Sequence, residues 1–281
     1  MHPSVYRPLI ETAIREDLGS RGDVTTAAVV PDGAVAKASL NARVEGRLAG
    51  LEVAAEVFRF VDSSLTVERL AVDGSDMAAG SALATIAGSA SSILIAERTA
   101  LNLLGRMCGI ATLTRSVVRE VAGTGVAVAE TRKTTPGLRA LEKYAVRMGG
   151  GANHRFGLDD AVMIKDNHIA VSGGVTKAVA AARAAVGHMT KIEVEVDTLE
   201  QLAELLADPV DVVLLDNMDP ATLRRAVEMV DGTMIIEASG GITLANVRQV
   251  AESGVDVVSL GWLTHSAHNL DVGLDIVITT A

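Results

Sequence analysis

Between Thr131 and Lys165 the chain carries seven cationic side chains, Arg132, Lys133, Arg139, Lys143, Arg147, Arg155 and Lys165, together with His154. Only three acids, Glu142, Asp159 and Asp160, stand against them. That window is net +4 in a chain whose formal total is −10. Positive charge concentrated in one stretch of an acidic protein is suited to drawing in an anionic ligand. Arginine forks match carboxylates and phosphates bidentately, and lysine adds a mobile point charge, so the ligand implied has several anionic groups. Two bland alternatives stand beside this. Arg139, Lys143 and Arg147, spaced four apart, read as a solvated helix face. Arg132, Lys133, Arg155 and Lys165 could instead form ion pairs with Glu130, Asp159 or Asp166.

Further along, Glu195 and Asp216 each close an apolar β-branched run. Carboxylates do not bind anions, so their partners are sugar hydroxyls, a neighbouring lysine, or the waters of a hard cation such as Mg²⁺. Ser239-Gly240-Gly241 and the later Gly261 place glycine after two successive runs. Backbone N–H groups can approach an oxyanion there, with Thr243 as the expected cap of a following helix. His154 has no second histidine at ligand spacing, which argues against zinc, and His168 reads as structural. Cys108 lies among small residues with no neighbouring histidine, so a thiol nucleophile is not expected.

The elements that must position these groups follow from periodicity. From residue 125 onward, short apolar runs at 126–130, 161–165, 192–196, 211–216, 234–239 and 256–261 alternate with helical stretches, which predicts a parallel sheet with βα connections. In 192–196 the apolar Ile192, Val194 and Val196 share one face and Glu193 and Glu195 the other, and Glu237 with Ser239 repeats the pattern two strands later. An open sheet covered by helices on both sides would bury those acids away from water, so they point to a barrel interior or its mouth. Residues 109–265 are too few for a full eight-unit barrel, so units must be missing. Before them, residues 1–108 read as an α+β domain: a helix over 5–18, a turn at GDVTT (22–26), strands over 36–44 and 65–72, and a helix over 51–61. A helical region at 91–122 is expected to break at Gly105 to Gly109. Residues 266–281 are expected to return as a tail to the first domain.

Composition is consistent with this plan. The chain has 281 residues, 49% hydrophobic and 21% charged. It fits a soluble globular protein and not a disordered one. The acidic balance argues against nucleic-acid or anionic-membrane partners. One cysteine excludes an intramolecular disulfide and suits the cytoplasm. Residues 1–19 carry acids where a signal peptide needs an apolar stretch. The apolar region 91–122 is interrupted by charges and cannot supply the ~20 residues that span a bilayer.

The strings ETRKTTPGLR (130–139), EKYAV (142–146), GGGANHR (149–155), IKDNH (164–168), EVEVD (193–197), LLDN (214–217), EASGGI (237–242) and LTHS (263–266) resemble the quinolinate phosphoribosyltransferase family, as do GDVTT and AERTALNL (96–103). The resemblance runs nearly end to end. It implies an N-terminal α/β sandwich domain, a C-terminal incomplete α/β barrel of six or seven strands, and a homodimer. It also implies quinolinate and phosphoribosyl pyrophosphate as substrates, with Mg²⁺. Carried over by position, Arg132, His154, Arg155 and Lys165 hold the two carboxylates, with Arg98 reaching in from the other subunit. Lys133 contacts pyrophosphate or quinolinate. Glu195 and Asp216 face the ribose hydroxyls and the metal, Ser239, Gly240 and Gly261 cradle the 5′-phosphate, and Lys133, Lys165, Glu195 and Asp216 are the catalytic set. The family more often has Asp where Glu130 stands, and Trp262 is bulkier than expected after Gly261. A nicotinate phosphoribosyltransferase, a Schiff-base lysine enzyme built on Lys165 and a non-catalytic anion-binding relative are the alternatives.

Overall fold

The computed structural model describes residues 1–278. They divide into two compact units, and the division is not a single cut in sequence. One unit comprises residues 1–115, 135–150 and 264 onward, and the other 116–134 and 151–263.

The first unit opens with α1 (Pro3–Leu18), whose residues Tyr6, Ile10 and Ile14 are buried on one face. GDVTT is not a simple turn. Asp23 accepts the N–H groups of Thr25 and Thr26 at 3.0 and 2.9 Å and so caps α2 (Val24–Val29). A carboxylate that satisfies two otherwise orphaned donors is enough to start a short helix. Then come β1 (Val35–Ala42), β2 (Gly46–Arg47), α3 (Leu51–Val61), β3 (Thr66–Arg69), β4 (Asp76–Met77) and β5 (Ala82–Ser89). The main sheet has the order β12-β1-β5-β3, with β12 (Val272–Ile278) antiparallel to β1, so the C-terminal segment is a strand of this unit. Alternate residues of β1, from Ala36 to Ala42, are buried in one core with Ile10, Phe58 and Ile93.

The expected break at Gly105 to Gly109 does not occur, because α4 runs unbroken over Ala90–Glu120. Its glycines serve packing. A Cβ on Gly105 would stand 2.8 Å from the Leu270 carbonyl, and one on Gly109 would press into the carbonyl of His268. Helix interior glycine costs about 1 kcal/mol, and here it lets a second backbone segment lie against the helix. The helix α5 (Arg139–Met148) also belongs to this unit. The solvated row expected along it is not observed: Arg139 is half-buried, Lys143 is 3% exposed, and Arg147 is exposed. Positions four apart drift by about 40° per step round a helix, so the row crosses the buried face that carries Leu141 and Ala145.

In the second unit, β6 (Ala127–Ala129), β7 (Val162–Ile164), β8 (Ile192–Val196), β9 (Val212–Asp216), β10 (Ile235–Ser239) and β11 (Val257–Ser259) form one parallel sheet of order β6-β11-β10-β9-β8-β7. The connecting helices are α6 (Asp166–Ser172), α7 (Val175–Ala185), α8 (Leu199–Leu205), α9 (Pro220–Val230), α10 (Val247–Ala251) and α11 (Trp262–His265). The two edge strands, β6 and β7, do not pair with each other, so this is the incomplete α/β barrel expected, with six strands. No described helix is long and apolar enough to cross a membrane.

Cys108 is fully buried on α4, and its thiol sits near the backbone of Ala49, whose N–H points at Sγ from 3.4 Å. Burial pushes its pKa up to about 12 despite that N–H. A thiol reagent at pH 8 is therefore expected to leave the folded protein unmodified over the time in which the urea-unfolded chain is fully labelled. Native labelling as fast as unfolded labelling would contradict the assignment.

Candidate active site

At the C-terminal ends of the six strands lies a cavity of about 650 Å³. Its walls bring together Arg132 and Lys133 after β6, His154 and Arg155 from the loop before β7, Lys165 after β7, Glu195 and Asp216 at the ends of β8 and β9, and Ser239 and Gly240 at the end of β10. These are nine of the eleven residues singled out from the sequence. Gly261 does not line the cavity, and Ser259 from the same strand end does. Arg98 is exposed on α4 in the other unit and is not among the lining residues.

Period-two geometry explains the lining. On β8, Val194 and Val196 are fully buried, while Glu193 and Glu195 take the opposite face. On β9, Val213 and Leu215 are buried behind the sheet while Leu214 and Asp216 reach the cavity. Glu237 and Ser239 repeat the pattern on β10. The depth sorts the acids: Glu193 and Glu237 are 6% and 5% exposed at the floor, and Glu195 and Asp216 are half-buried at the mouth.

The cations are held close together. Arg155 donates from Nη1 to the Ala161 carbonyl at 2.9 Å, leaving its Nε buried without a hydrogen-bond partner among the described residues. Burial, and after it the positive charge of Arg132, lowers the pKa of Arg155, with Glu193 and Asp160 opposing. Two guanidiniums near enough to disfavour each other's charge in a partly dry cavity are relieved by an anion placed between them. Lys165 pairs with Glu195 rather than with Asp166. His168 is structural, as expected: its Nδ1 accepts the Lys165 N–H at 3.0 Å, fixing the turn into α6.

The loop that carries His154 and Arg155 is tied down by Glu130, which is fully buried. Its carboxylate accepts Asn153 Nδ2 at 2.9 Å and the His154 N–H at 3.1 Å. The ring of His154 in turn has Nε2 at 3.4 Å from Glu193 and 3.3 Å from Glu237. Burial opposes charge on this ring, but hydrogen bonds and charges from the two glutamates outweigh it and push its pKa up to about 10. Burial, with the nearby Glu237 charge, also raises the pKa of Glu193. The Arg155 N–H points at Nδ1 from 2.7 Å.

Asp216 is raised too, by burial and then by Glu195 and Asp197, so the mouth is a place where a cation would be welcome. Facing it, Gly240 adopts φ +81° and Asn217 φ 55°. A Cβ on Gly240 would lie 2.9 Å from Asn217 N and overlap its side-chain amide. The Asn217 N–H bonds the Ser239 carbonyl at 2.9 Å, so the two strand ends lock together. Thr243 is not a helix cap: Asn246 Oδ1 accepts its N–H at 2.7 Å in a turn, and α10 starts only at Val247. Any oxyanion cradle here rests on glycine backbone rather than on a long helix. Trp262 has a use for its bulk, since Nε1 donates to the Ile242 carbonyl at 2.8 Å and ties the β10 loop to the end of β11.

Residues 110–275 match the family model described as quinolinate phosphoribosyl transferase, C-terminal domain, and residues 23–108 match the N-terminal domain model. The chain belongs to the quinolinate phosphoribosyltransferase family. It is 46% identical over 277 residues to the nicotinate-nucleotide pyrophosphorylase [carboxylating] of Mycobacterium leprae, covering 96% of each chain. It is 42% identical to a probable enzyme of the same name from Bacillus subtilis, covering 97% of this chain and 94% of the relative. A solved structure of NadC from Streptococcus pyogenes is 40% identical with a TM-score of 0.96, covering 100% of this chain and 99% of that one. Within the family fold, the cavity sits where barrel enzymes of this class hold their sites, over the carboxyl ends of the strands.

Sequence reasoning placed Glu193 and Glu237 inside the barrel without giving them a role in the site, and it missed Asn217. The signal for Asn217 was local, an Asp-Asn pair ending a strand, where asparagine tolerates the left-handed conformation. Gly240→Ala is expected to lower unfolding stability by about 1–3 kcal/mol, the cost of a strained residue with no room for its Cβ. An unshifted urea midpoint would show that the loop has space the geometry denies it.

Proposed function

We propose that the chain transfers a phosphoribosyl group from phosphoribosyl pyrophosphate to quinolinate with loss of CO₂, giving nicotinate mononucleotide and pyrophosphate in NAD biosynthesis. The observation that carries this reading is the convergence of Arg132, Lys133, Arg155 and Lys165 on one cavity whose other arc is Glu195, Asp216 and a glycine turn. A dicarboxylate beside a polyphosphate needs a crowd of cations, and a ribose needs acceptors for its hydroxyls. The family relationship supports the same substrates.

In this reading Arg132 and Arg155 receive the two carboxylates, with His154 beside them, and Lys165 is oriented towards them by Glu195. Lys133, exposed at the rim, meets pyrophosphate. Ser239 and the Gly240 turn receive the 5′-phosphate. The pyridine nitrogen forms a bond to ribose C1 as the C1–O bond to pyrophosphate breaks, through an oxocarbenium-like transition state. The resulting pyridinium then accepts the electron pair released when the C2 carboxylate leaves as CO₂, and C2 takes up a proton. No side-chain nucleophile is required, so the rate enhancement comes from positioning and preorganised charge.

Glu195 and Asp216 offer the hard oxygen donors that suit Mg²⁺, and the raised pKa of Asp216 beside Glu195 marks a charge deficit that a cation relieves. Bound there with pyrophosphate oxygens, Mg²⁺ would stabilise the departing charge. The reading further makes the chain a cytoplasmic homodimer in which Arg98, exposed on α4, is lent to the partner's cavity.

Incubation with quinolinate, phosphoribosyl pyrophosphate and Mg²⁺ is expected to release CO₂ and pyrophosphate in equal amounts. Turnover of nicotinate as fast as quinolinate, or binding without pyrophosphate release, would overturn the reading. Arg132→Ala and Lys165→Ala are each expected to lower turnover at least ~100-fold, the order lost with one preorganised electrostatic contact. Near wild-type rates in either variant would remove the cation cluster from the chemistry.

A further inference from the structure

The two acids at the cavity mouth each have one oxygen held and one open. Glu195 gives Oε2 to Lys165, and Asp216 gives Oδ2 to the side-chain amide of Asn217, whose Nδ2 donates to it at 2.6 Å. Glu195 Oε1 and Asp216 Oδ1 receive no hydrogen bond from the described residues, and both side chains line the cavity. Asn217 is itself fixed from the next strand. Its backbone sits at φ 55°, its N–H bonds the Ser239 carbonyl at 2.9 Å, and its side-chain oxygen occupies the space that a Cβ on Gly240 would need. Only the NH₂ end of an amide can face a carboxylate, so the orientation follows: Nδ2 lies towards Asp216 and Oδ1 over Gly240.

We propose that Asn217 is a positioning residue for the phosphoribosyl donor: its amide, seated over the Gly240 turn, holds Asp216 by Oδ2 and leaves Oδ1 open to a ribose hydroxyl. The inference rests on the reading of the cavity as a phosphoribosyl site, and it adds a residue to that site. A ribose carries a cis pair of hydroxyls. Two open oxygens on the ends of neighbouring strands, one on Glu195 and one on Asp216, are what such a pair needs. The terminal torsion of an aspartate is broad, so an untethered carboxylate would lose freedom when a hydroxyl binds. The amide removes that cost before the ligand arrives. The residue type is constrained from two sides. Asparagine tolerates the left-handed backbone, which a β-branched side chain does not. Aspartate would fit the same space but would set a second carboxylate against Asp216. A bystander role, in which Asn217 only fills the space over Gly240, predicts different results.

The decisive experiment is a double-mutant cycle between Asn217 and Asp216. The variants are Asn217→Gly, which removes the amide and keeps the left-handed backbone accessible, Asp216→Ala, and the two combined. The readout is the Kd for phosphoribosyl pyrophosphate by calorimetry, with a chelator present and quinolinate absent, so that neither metal nor turnover enters. Asn217→Gly is expected to weaken binding about 10-fold, the order of one charge-assisted hydrogen bond. In the Asp216→Ala background the same change should cost less than about 3-fold, because the carboxylate it serves is gone. Equal losses in both backgrounds would overturn the inference, since Asn217 would then act on its own. An unchanged Kd in Asn217→Gly would overturn it as well.

A readout that needs no ligand is the side-chain amide of Asn217 in the ¹H–¹⁵N spectrum, assigned through bonds to its own backbone. One of the two Nδ2 protons is expected to stand well downfield of the other in the wild type, as a proton bonded to a carboxylate does. The pair should draw together in Asp216→Ala. A wild-type pair no further apart than those of exposed asparagines overturns the inference, whether or not Asn217→Gly folds. A wild type that binds phosphoribosyl pyrophosphate and shows the cycle, yet turns over no quinolinate, leaves the inference standing and overturns the reading of quinolinate as acceptor. A wild type that binds no phosphoribosyl pyrophosphate, with Mg²⁺ or without it, overturns both.

Discussion

Cations gathered in a partly dry cavity repel one another, and the protein must hold them there before any ligand arrives. Arg132 is near enough to Arg155 to disfavour its charge. What allows them to coexist is a lower tier of acids: Glu130, Glu193 and Glu237, all nearly inaccessible to water, with Glu195 paired to Lys165 above them. Burying a carboxylate is costly unless it is paired or hydrogen-bonded; Glu130 is hydrogen-bonded to the loop that carries Arg155, and Glu193 and Glu237 flank the His154 ring of the same loop. The Glu193 charge supports that of Arg155 from below. This two-tier arrangement depends on strands that alternate inward and outward, since only alternation puts an acid at the floor and another at the mouth of the same strand.

That alternation is also why much of the site was legible. In 192–196 the apolar and acidic residues separate by parity, and no other fold element gives Glu193 and Glu195 one face with Ile192, Val194 and Val196 on the other. The six strands fall within the runs expected, because β-branched stretches bounded by charge and glycine have few other uses. The features that escaped depend on distant partners. Gly105 and Gly109 look like helix breakers until the chain near residues 268–270 is laid against them. Asp23 looks like part of a turn until it is seen to accept two N–H groups. Lys143 looks solvated until the drift of a four-residue row is followed across the buried face of α5. Parity placed Glu193 and Glu237 inside the barrel, but nothing local reveals that a histidine from the loop before β7 comes down between them.

The glycine turns belong to the same logic. Gly240 is not simply permissive backbone, because the space its absent side chain leaves is taken by Asn217, and Asn217 itself occupies the left-handed region. Two unusual backbone conformations on adjacent strands support each other through one backbone hydrogen bond. Such a turn presents N–H groups in a fixed direction, as a phosphate cradle requires. A flexible turn of the same composition would lose binding free energy on ordering.

Rigidity matters more here than in an enzyme with a covalent nucleophile. If catalysis is the neutralisation of developing charge by groups already in place, the protein contributes through placement, and small displacements of a guanidinium are costly. Two of the cavity's cations, and the loop that carries one of them, are accordingly tied to something stiff. Arg155 is anchored to the Ala161 carbonyl just before β7, Lys165 to Glu195 on β8, and the loop before β7 to Glu130 at the end of β6. An incomplete barrel suffices for this purpose. Six parallel strands supply the ends that line the cavity, and the two edge strands of the sheet are β6 and β7, the strands whose flanking loops carry the arginines. The bridge from Ala129 to Ala152 continues the β6 edge into the loop that must be held most firmly. The loop that carries His154 and Arg155 is thus held to the β6 edge by that bridge and by the buried Glu130 carboxylate.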